Sequence, residues 1–248
     1  MRVAFHHIAY RPLPVCNALS MERLEATVRR AGLKPGATVM DIGCAYGEVS
    51  IHLARAFDAR VTAVELDPVM AEGAEARVQA AGLSERISVR SETSAAALAA
   101  LPPFDLIVAI GSTEPAGKGL REPALVFAAL SQHLTSGGAL LWGDLFWQDE
   151  PPAPLRQLVE TGGYYVGHDA WQAAARDAGL EVISAEISDE AEWAAYRTSM
   201  ETAIADWLDA HPDHADAPSV AATAHRIKMM LDFGAPYLGF GLYLFRKA

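Results

Sequence analysis

Short apolar runs alternate with stretches of helical periodicity along most of the chain. Ala37–Ile42 reads as a buried strand, followed by a glycine-bearing turn and helical spacing over Val49–Phe57. Val61–Val64 is the next apolar run and ends in Glu65; a helix over Pro68–Ala81 then stops at Gly82. The alternation continues with Ile87–Arg90 and Ala95–Ala100, then Phe104–Ile110 and Ala124–Leu134. Gly137-Gly138 closes that helix, and Ala139–Trp142 opens another strand. Further on, Trp171–Ala178 reads as a helix, and Glu181–Ile187 and Gly239–Phe245 as strands. Between those two strands, Asp189–Gly234 has helical patterning with aromatics at Trp193, Tyr196 and Trp207. Upstream, an irregular lead over Met1–Ala18 gives way to a helix that starts from the N-cap Ser20. Glu22 and Glu25 lie in its first turns, and it runs to about Arg30. Strands alternating with helices predict an α/β fold, a parallel sheet covered on both faces with right-handed crossovers.

In open parallel sheets, ligands bind at the carboxyl ends of strands where the strand order reverses. Three carboxylates fall at such ends: Asp41, Glu65 and Glu92. Between the first two lies Asp41-Ile42-Gly43-Cys44-Ala45-Tyr46-Gly47. Its glycines let backbone approach a ligand without Cβ clashes. A carboxylate one strand over can accept two ribose hydroxyls.

The segment resembles motif I of the class I S-adenosylmethionine-dependent methyltransferases, D-x-G-x-G-x-G, with Ala45 in place of the middle glycine. Glu65 resembles that family's ribose-binding acid, and Glu92-Thr93 its position near the adenine amino group. Phe104–Val108 resembles the fourth-strand motif, and Leu134 with Gly137 and Gly138 resembles the L-x-x-G-G turn before strand five. The resemblance covers about Lys34 to Trp147. It implies a Rossmann-like seven-stranded sheet in the order 3-2-1-4-5-7-6, with strand seven antiparallel. It also implies S-adenosylmethionine as cofactor, held by Asp41, Gly43, Ala45, Gly47, Glu65, Leu66, Glu92, Thr93 and Ile110. A dinucleotide fingerprint, G-x-G-x-x-G, would need glycines where Ala45 and Glu48 stand, and Glu48 would repel a pyrophosphate. A P-loop is excluded because there is no G-K-[ST].

The expected organisation is a single domain: an N-terminal lead and helix (1–33), a cofactor-binding core (34–188), a helical lid (189–234) and a final strand (235–248). The polar break Asp213-His214-Ala215-Asp216, flanked by Pro212 and Pro218, should split the lid into two helices over the pocket mouth, held by few core contacts.

Charge narrows the acceptor. The net charge of −11 opposes phosphate-backbone binding, and the [DN]-P-P-[YFW] sequence of base-directed enzymes is absent after strand four. A small-molecule acceptor is therefore expected, with no nucleic acid and no membrane partner. Two cysteines, Cys16 and Cys44, make no disulfide framework. The N-terminus does not resemble a signal peptide and no apolar stretch is long enough to span a bilayer, so a cytoplasmic monomer or homodimer is expected. Metal-dependent catechol-type enzymes need carboxylates after strands four and five. Only Asp144 is clear, so no metal is expected. Catalytic candidates are Asp144, His168 and Glu114. Substrate candidates are Phe146, Trp147, Tyr165, Trp193, Tyr196 and Arg197, because aromatic walls suit an apolar or cationic acceptor. In-line methyl transfer by proximity and alignment is the expected reaction. Cyclisation or lysis at the sulfonium, or cofactor binding without turnover, remain open alternatives.

Overall fold

A computed structural model describes residues 2–161 and 163–248. Met1, the first residue of the expected lead, lies outside them. Seven strands form one sheet in the order β3-β2-β1-β4-β5-β7-β6. They are β1 (Thr38–Ile42), β2 (Arg60–Glu65), β3 (Ile87–Ser91), β4 (Phe104–Ile110), β5 (Leu134–Trp147), β6 (Leu180–Ile187) and β7 (Leu238–Lys247). Strands β1 to β5 pair in parallel; β7 runs antiparallel to both β5 and β6. The expected Rossmann-like sheet and strand order are those observed.

Side-chain alternation divides the core into two layers. Val39, Val61, Leu106, Leu141 and Leu242 pack against α2 (Met21–Arg29), α3 (Glu48–Ala56) and α4 (Pro68–Ala80). Met40, Ile107, Leu140, Trp142 and Tyr243 pack against α5 (Ser94–Ala100), α6 (Pro123–Ser131) and α8 (His168–Asp177). The strands are apolar on both faces, as expected for a parallel sheet clad on two sides. Asp105 ties the strand starts together: it accepts the Thr38 N–H at 2.8 Å and the hydroxyls of Thr38 and Thr135.

Four features differ from the expectation. The lead is not wholly irregular, because Phe5–Ala9 forms α1. Leu134 begins β5 rather than ending a helix, and pairs with Phe104 ahead of a register shift. Strand β5 does not stop at Trp142. Beyond the end of β4 it continues to Trp147, held by antiparallel pairing from Asp144↔Gly241 to Trp147↔Leu238. A further helix, α7 (Ala153–Val159), fills the connection to α8.

The segment between β6 and β7 is two helices, α9 (Glu190–Ala210) and α10 (Ala217–Gly234), separated at the expected polar break. It is not loosely held. Met200, Ile204, Val220 and Leu231 form a third core with Phe5, Ile8 and Leu13 of the N-terminal segment. The start of α9 is further anchored by charge. Arg23 Nε lies 3.0 and 2.9 Å from the two oxygens of Glu192, and its Nη2 lies 3.0 Å from Asp189. Ser20 donates to the same Glu192 through its N–H and hydroxyl at 2.9 and 2.6 Å.

Burial alone would raise the Glu192 carboxyl, but Arg23 and Ser20 outweigh it and hold it below its ordinary range. A carboxyl lowered in the folded state contributes stability above its unfolded value, and that contribution fades as pH falls through the folded value. Glu192→Gln should therefore destabilise the fold by about 2 kcal/mol at neutral pH, because Arg23 loses its two-oxygen partner and keeps only Asp189 and Glu186. Urea unfolding at pH 7 and at pH 3 checks this: the deficit should be largest at pH 7 and shrink towards pH 3.

Candidate active site

The turn after β1 is built by backbone demands. Gly43 has φ +72° and a Cβ there would lie 2.5 Å from Ser112 Oγ, whose hydroxyl donates to the Ile42 carbonyl at 2.5 Å. Gly47, at φ +81°, caps α3 and faces Ala74, where a Cβ would approach to 3.2 Å. Between them Ala45 also adopts a left-handed conformation, φ 51°, in the place where the resembling motif has glycine. The N–H groups of Gly43 and Cys44 donate to the Val64 carbonyl at 2.8 and 3.0 Å, fastening the turn to the end of β2.

Glu65 completes that fastening. One carboxylate oxygen accepts the Ala45 N–H at 2.9 Å and the other the Asp67 N–H at 2.9 Å. Each oxygen has two lone-pair sites, so each retains one for a further donor. That arrangement suits a vicinal diol. Leu66, beside it, is 68% exposed, an apolar surface at the edge of the same loop. Asp41 is 4% exposed and accepts the Ser50 hydroxyl at 2.6 Å. Burial pushes its carboxyl up to about 6, against the Ser50 hydrogen bond and with help from the charge of Glu65. The far wall of this cavity comes from Leu13–Asn17 and Ile110. Asn17 donates to the Ile110 carbonyl at 3.4 Å and fills the space where a Cβ on Gly111 would sit.

Two further cofactor candidates, Glu92 and Thr93, lie after β3. The Glu92 carboxylate is paired with Arg90, and the Thr93 hydroxyl caps α5 by accepting the Ala96 N–H at 3.2 Å. Burial pushes the Cys16 thiol up to about 12 and Cys44 well above its ordinary value.

Of the catalytic candidates, Asp144 and Glu114 line one cavity, together with Ser112, Trp142, Tyr164, Tyr165 and Trp171. Asp144 has a single hydrogen bond, from the Leu145 N–H at 2.8 Å, and burial pushes its carboxyl up to about 7. Glu114, at φ 54°, accepts the Gly119 N–H at 2.8 Å. His168 is instead a packing residue: its Nδ1 lies 2.9 Å from the Tyr243 hydroxyl and its ring lies against Phe146. Burial lowers its pKa.

The substrate candidates do not converge. Tyr165 lies on the Asp144 cavity. Phe146 is buried in the core under β7, where a Cβ on Gly239 would strike its ring at 2.2 Å. Trp147 packs with Leu155, Val159 and Leu238, with Arg156 over its ring. Trp193 and Arg197 line a separate cavity beside Gln148 and Ser188. Tyr196 packs with Tyr10 in the third core, half-buried, and burial raises its phenol well above the ordinary value. The Leu13–Asn17 wall carried no motif. Its only sequence signal was its position ahead of the first helix.

The N-terminal segment is latched onto the cofactor-side loop. His6 and His7 each reach Asp67 Oδ2, at 3.0 and 2.9 Å, while Asp67 Oδ1 caps α4. Tyr46 donates its hydroxyl to the His7 carbonyl at 2.8 Å. The three side chains His6, His7 and Asp67 are spaced as metal ligands could be. However, His7 Nδ1 accepts the Ala4 N–H at 3.2 Å, so its Nε2 carries the proton and donates to Asp67.

A glycine turn after β1, an acid at the end of β2 and the 3-2-1-4-5-7-6 sheet together define a nucleoside-cofactor fold of the methyltransferase type. The family model described as mycolic acid cyclopropane synthetase matches residues 17–185. The chain belongs to that family, within the class I S-adenosylmethionine-dependent methyltransferases, and S-adenosylmethionine is its cofactor. The protein YjhP of Escherichia coli K12 is 24% identical over 233 residues, 92% of this chain and 91% of that protein. The 27-O-demethylrifamycin SV methyltransferase of Amycolatopsis mediterranei is 30% identical over 64% of this chain and 61% of its own length. A methyltransferase from Thiobacillus denitrificans, solved with S-adenosylhomocysteine, superposes with a TM-score of 0.84 at 22% identity, covering 100% of both chains. Among the described residues no helix is long and apolar enough to cross a membrane.

A left-handed alanine is strained by about 1–2 kcal/mol, and glycine there loses about 0.5–1 kcal/mol of chain entropy. Ala45→Gly should therefore leave the melting temperature unchanged or slightly higher, with cofactor binding retained. Ala45→Val should lower both, because a β-branched residue fits that conformation poorly. Differential scanning fluorimetry with and without S-adenosylhomocysteine checks the pair.

Proposed function

We propose that the protein transfers the methyl group of S-adenosylmethionine to a small-molecule acceptor by in-line displacement. The observation that carries this reading is the placement of two cavities on either side of one backbone step. Ile110 lines the cavity at the β1 turn, and Gly111 lines the aromatic cavity that holds Asp144. The cofactor, when bound, supplies an electrophilic methyl on a sulfonium.

The residues of the chain would do the rest. Glu65 would hold the ribose diol through its two remaining acceptor sites, and Leu66 would cover the base. Asp41 would be kept ionised by the cofactor's positive charges. Gly43, Ala45 and Gly47 would leave room for the methionine portion. The walls from Leu13–Asn17 and the β4–α6 connection would align acceptor and methyl, which is where most of the acceleration arises in such displacements. The third core of α9, α10 and the N-terminal segment would exclude water from above. The small-molecule character of the acceptor accords with the net charge of −11 and with the rifamycin-directed relative.

The test is incubation with S-adenosylmethionine, with and without a library of amine, phenol and thiol acceptors, followed by mass spectrometry. S-adenosylhomocysteine should form only when an acceptor is present and in equal amount to a methylated product. Methylthioadenosine formed without any acceptor would show instead that the sulfonium is cyclised or lysed. No turnover with any acceptor would leave cofactor binding as the function.

A further inference from the structure

The cavity between the β4–α6 connection and β5 has an unusual chemistry for an aromatic pocket. Its walls are Trp142, Trp171, Tyr164 and Tyr165, and the half-buried Asp144 lies among them. Among the described residues that carboxylate forms no ion pair and accepts one hydrogen bond, from the adjacent backbone N–H. Charged side chains buried without a partner are costly and seldom retained without a use. The other titratable groups near Asp144 are phenols: Tyr165 and, from β7, Tyr243, both raised by burial and further by the charge of Asp144. His168 is turned to the Tyr243 hydroxyl. Glu114 and the exposed Arg121 sit on the cavity's outer wall, where Glu114 is engaged with the Gly119 N–H.

A second observation concerns a residue lining the same cavity. Trp142 is 3% exposed, and its indole N–H has no hydrogen-bond partner. Its neighbour Trp171 is satisfied, donating to the Leu145 carbonyl at 3.1 Å. Trp142 and Asp144 are two residues apart on β5 and so project on the same face of the sheet. The pocket thus presents aromatic faces, a carboxylate and, two residues along, an unsatisfied donor.

We propose that this cavity receives the acceptor, and that the acceptor is an amine carrying a nearby oxygen: Asp144 pairs with the ammonium, the aromatic rings face it, and the Trp142 N–H donates to the oxygen. This rests on the methyl-transfer reading above and names its substrate class. Aromatic faces attract cations through the ring quadrupole, and a carboxylate in a desolvated site strengthens the selection. In the reaction the ammonium gives one proton to the Asp144 carboxylate. The freed nitrogen lone pair forms the new N–C bond as the C–S bond breaks, and the C–S electron pair stays on sulfur. The products are S-adenosylhomocysteine and a methylated amine, and the proton leaves Asp144 for solvent. A neutral alcohol of the same shape would leave the carboxylate unpaired and should be rejected.

The test is a binding experiment that needs no turnover. 2-Aminoethanol and its neutral counterpart ethylene glycol are titrated at pH 8 into protein saturated with S-adenosylhomocysteine, with tryptophan fluorescence and ligand-observed NMR as readouts. Aminoethanol should bind at least tenfold more tightly than the glycol. Asp144→Asn should remove that preference while leaving S-adenosylhomocysteine affinity unchanged. Equal binding of the two probes, binding of neither, or an unchanged preference in Asp144→Asn would overturn the proposal. The wild-type comparison stands alone should the variant fold poorly. Loss of S-adenosylhomocysteine binding by the wild type would instead count against the cofactor reading.

Discussion

The site depends on one carboxylate that joins two loops. Glu65 accepts the backbone N–H of Ala45 from the β1 turn and of Asp67 from the β2 turn. Charge-assisted bonds to backbone donors are among the stronger polar contacts a protein makes. They fix Ala45 in its left-handed conformation, set the start of α4, and place Leu66 outward. The influence then passes through Asp67. Its second oxygen holds His6 and His7, and with them α1. That helix contributes Phe5 and Ile8 to the core shared with α9 and α10. Cofactor loop and covering helices are thereby parts of one connected arrangement. The segment between β6 and β7 is fastened at its first turn by Arg23 and Glu192.

Two carboxylates lie on opposite faces of the sheet near its carboxyl edge, and burial raises both. Asp41 faces α3 and has Ser50 as its partner; Asp144 faces α6 and α8 and has only the neighbouring backbone. Raised acids weaken the folded state as pH climbs through their titration, so each is a stability cost at neutral pH. Binding a cation beside either one would offset that cost.

Much of this was legible in the sequence because it is local. The stretch Asp41–Gly47 forces a tight turn at the end of a buried strand, and Glu65 follows one helix and one strand later. Apolar runs of strand length fixed β1 to β4. What was not legible depends on partners distant in sequence. Strand β5 continues to Trp147 because β7 pairs with it where β4 has ended. That pairing turns Phe146 into a core residue and moves Trp147 onto α7. Helix α1 is too short for a periodic pattern of its own and exists because α9 covers it. The aromatics Trp193 and Tyr196, with Arg197, were expected at the acceptor. They face a different cavity and the N-terminal segment, because helical spacing gives a face but not the neighbour it meets. Asp144 was legible as a carboxylate after the fifth strand begins, but its solitude was not.

Glu65 joins the two loops, and we propose that the same carboxylate holds the cofactor's ribose. Calorimetric titration of S-adenosylhomocysteine into the wild type and Glu65→Gln tests it most directly, with melting curves to confirm that both are folded. The amide keeps the shape but gives one of the two oxygen positions to a donor group. Glu65→Gln should bind at least tenfold more weakly, about 1.4 kcal/mol or more, while still melting cooperatively. Equal affinities in two folded proteins would contradict it.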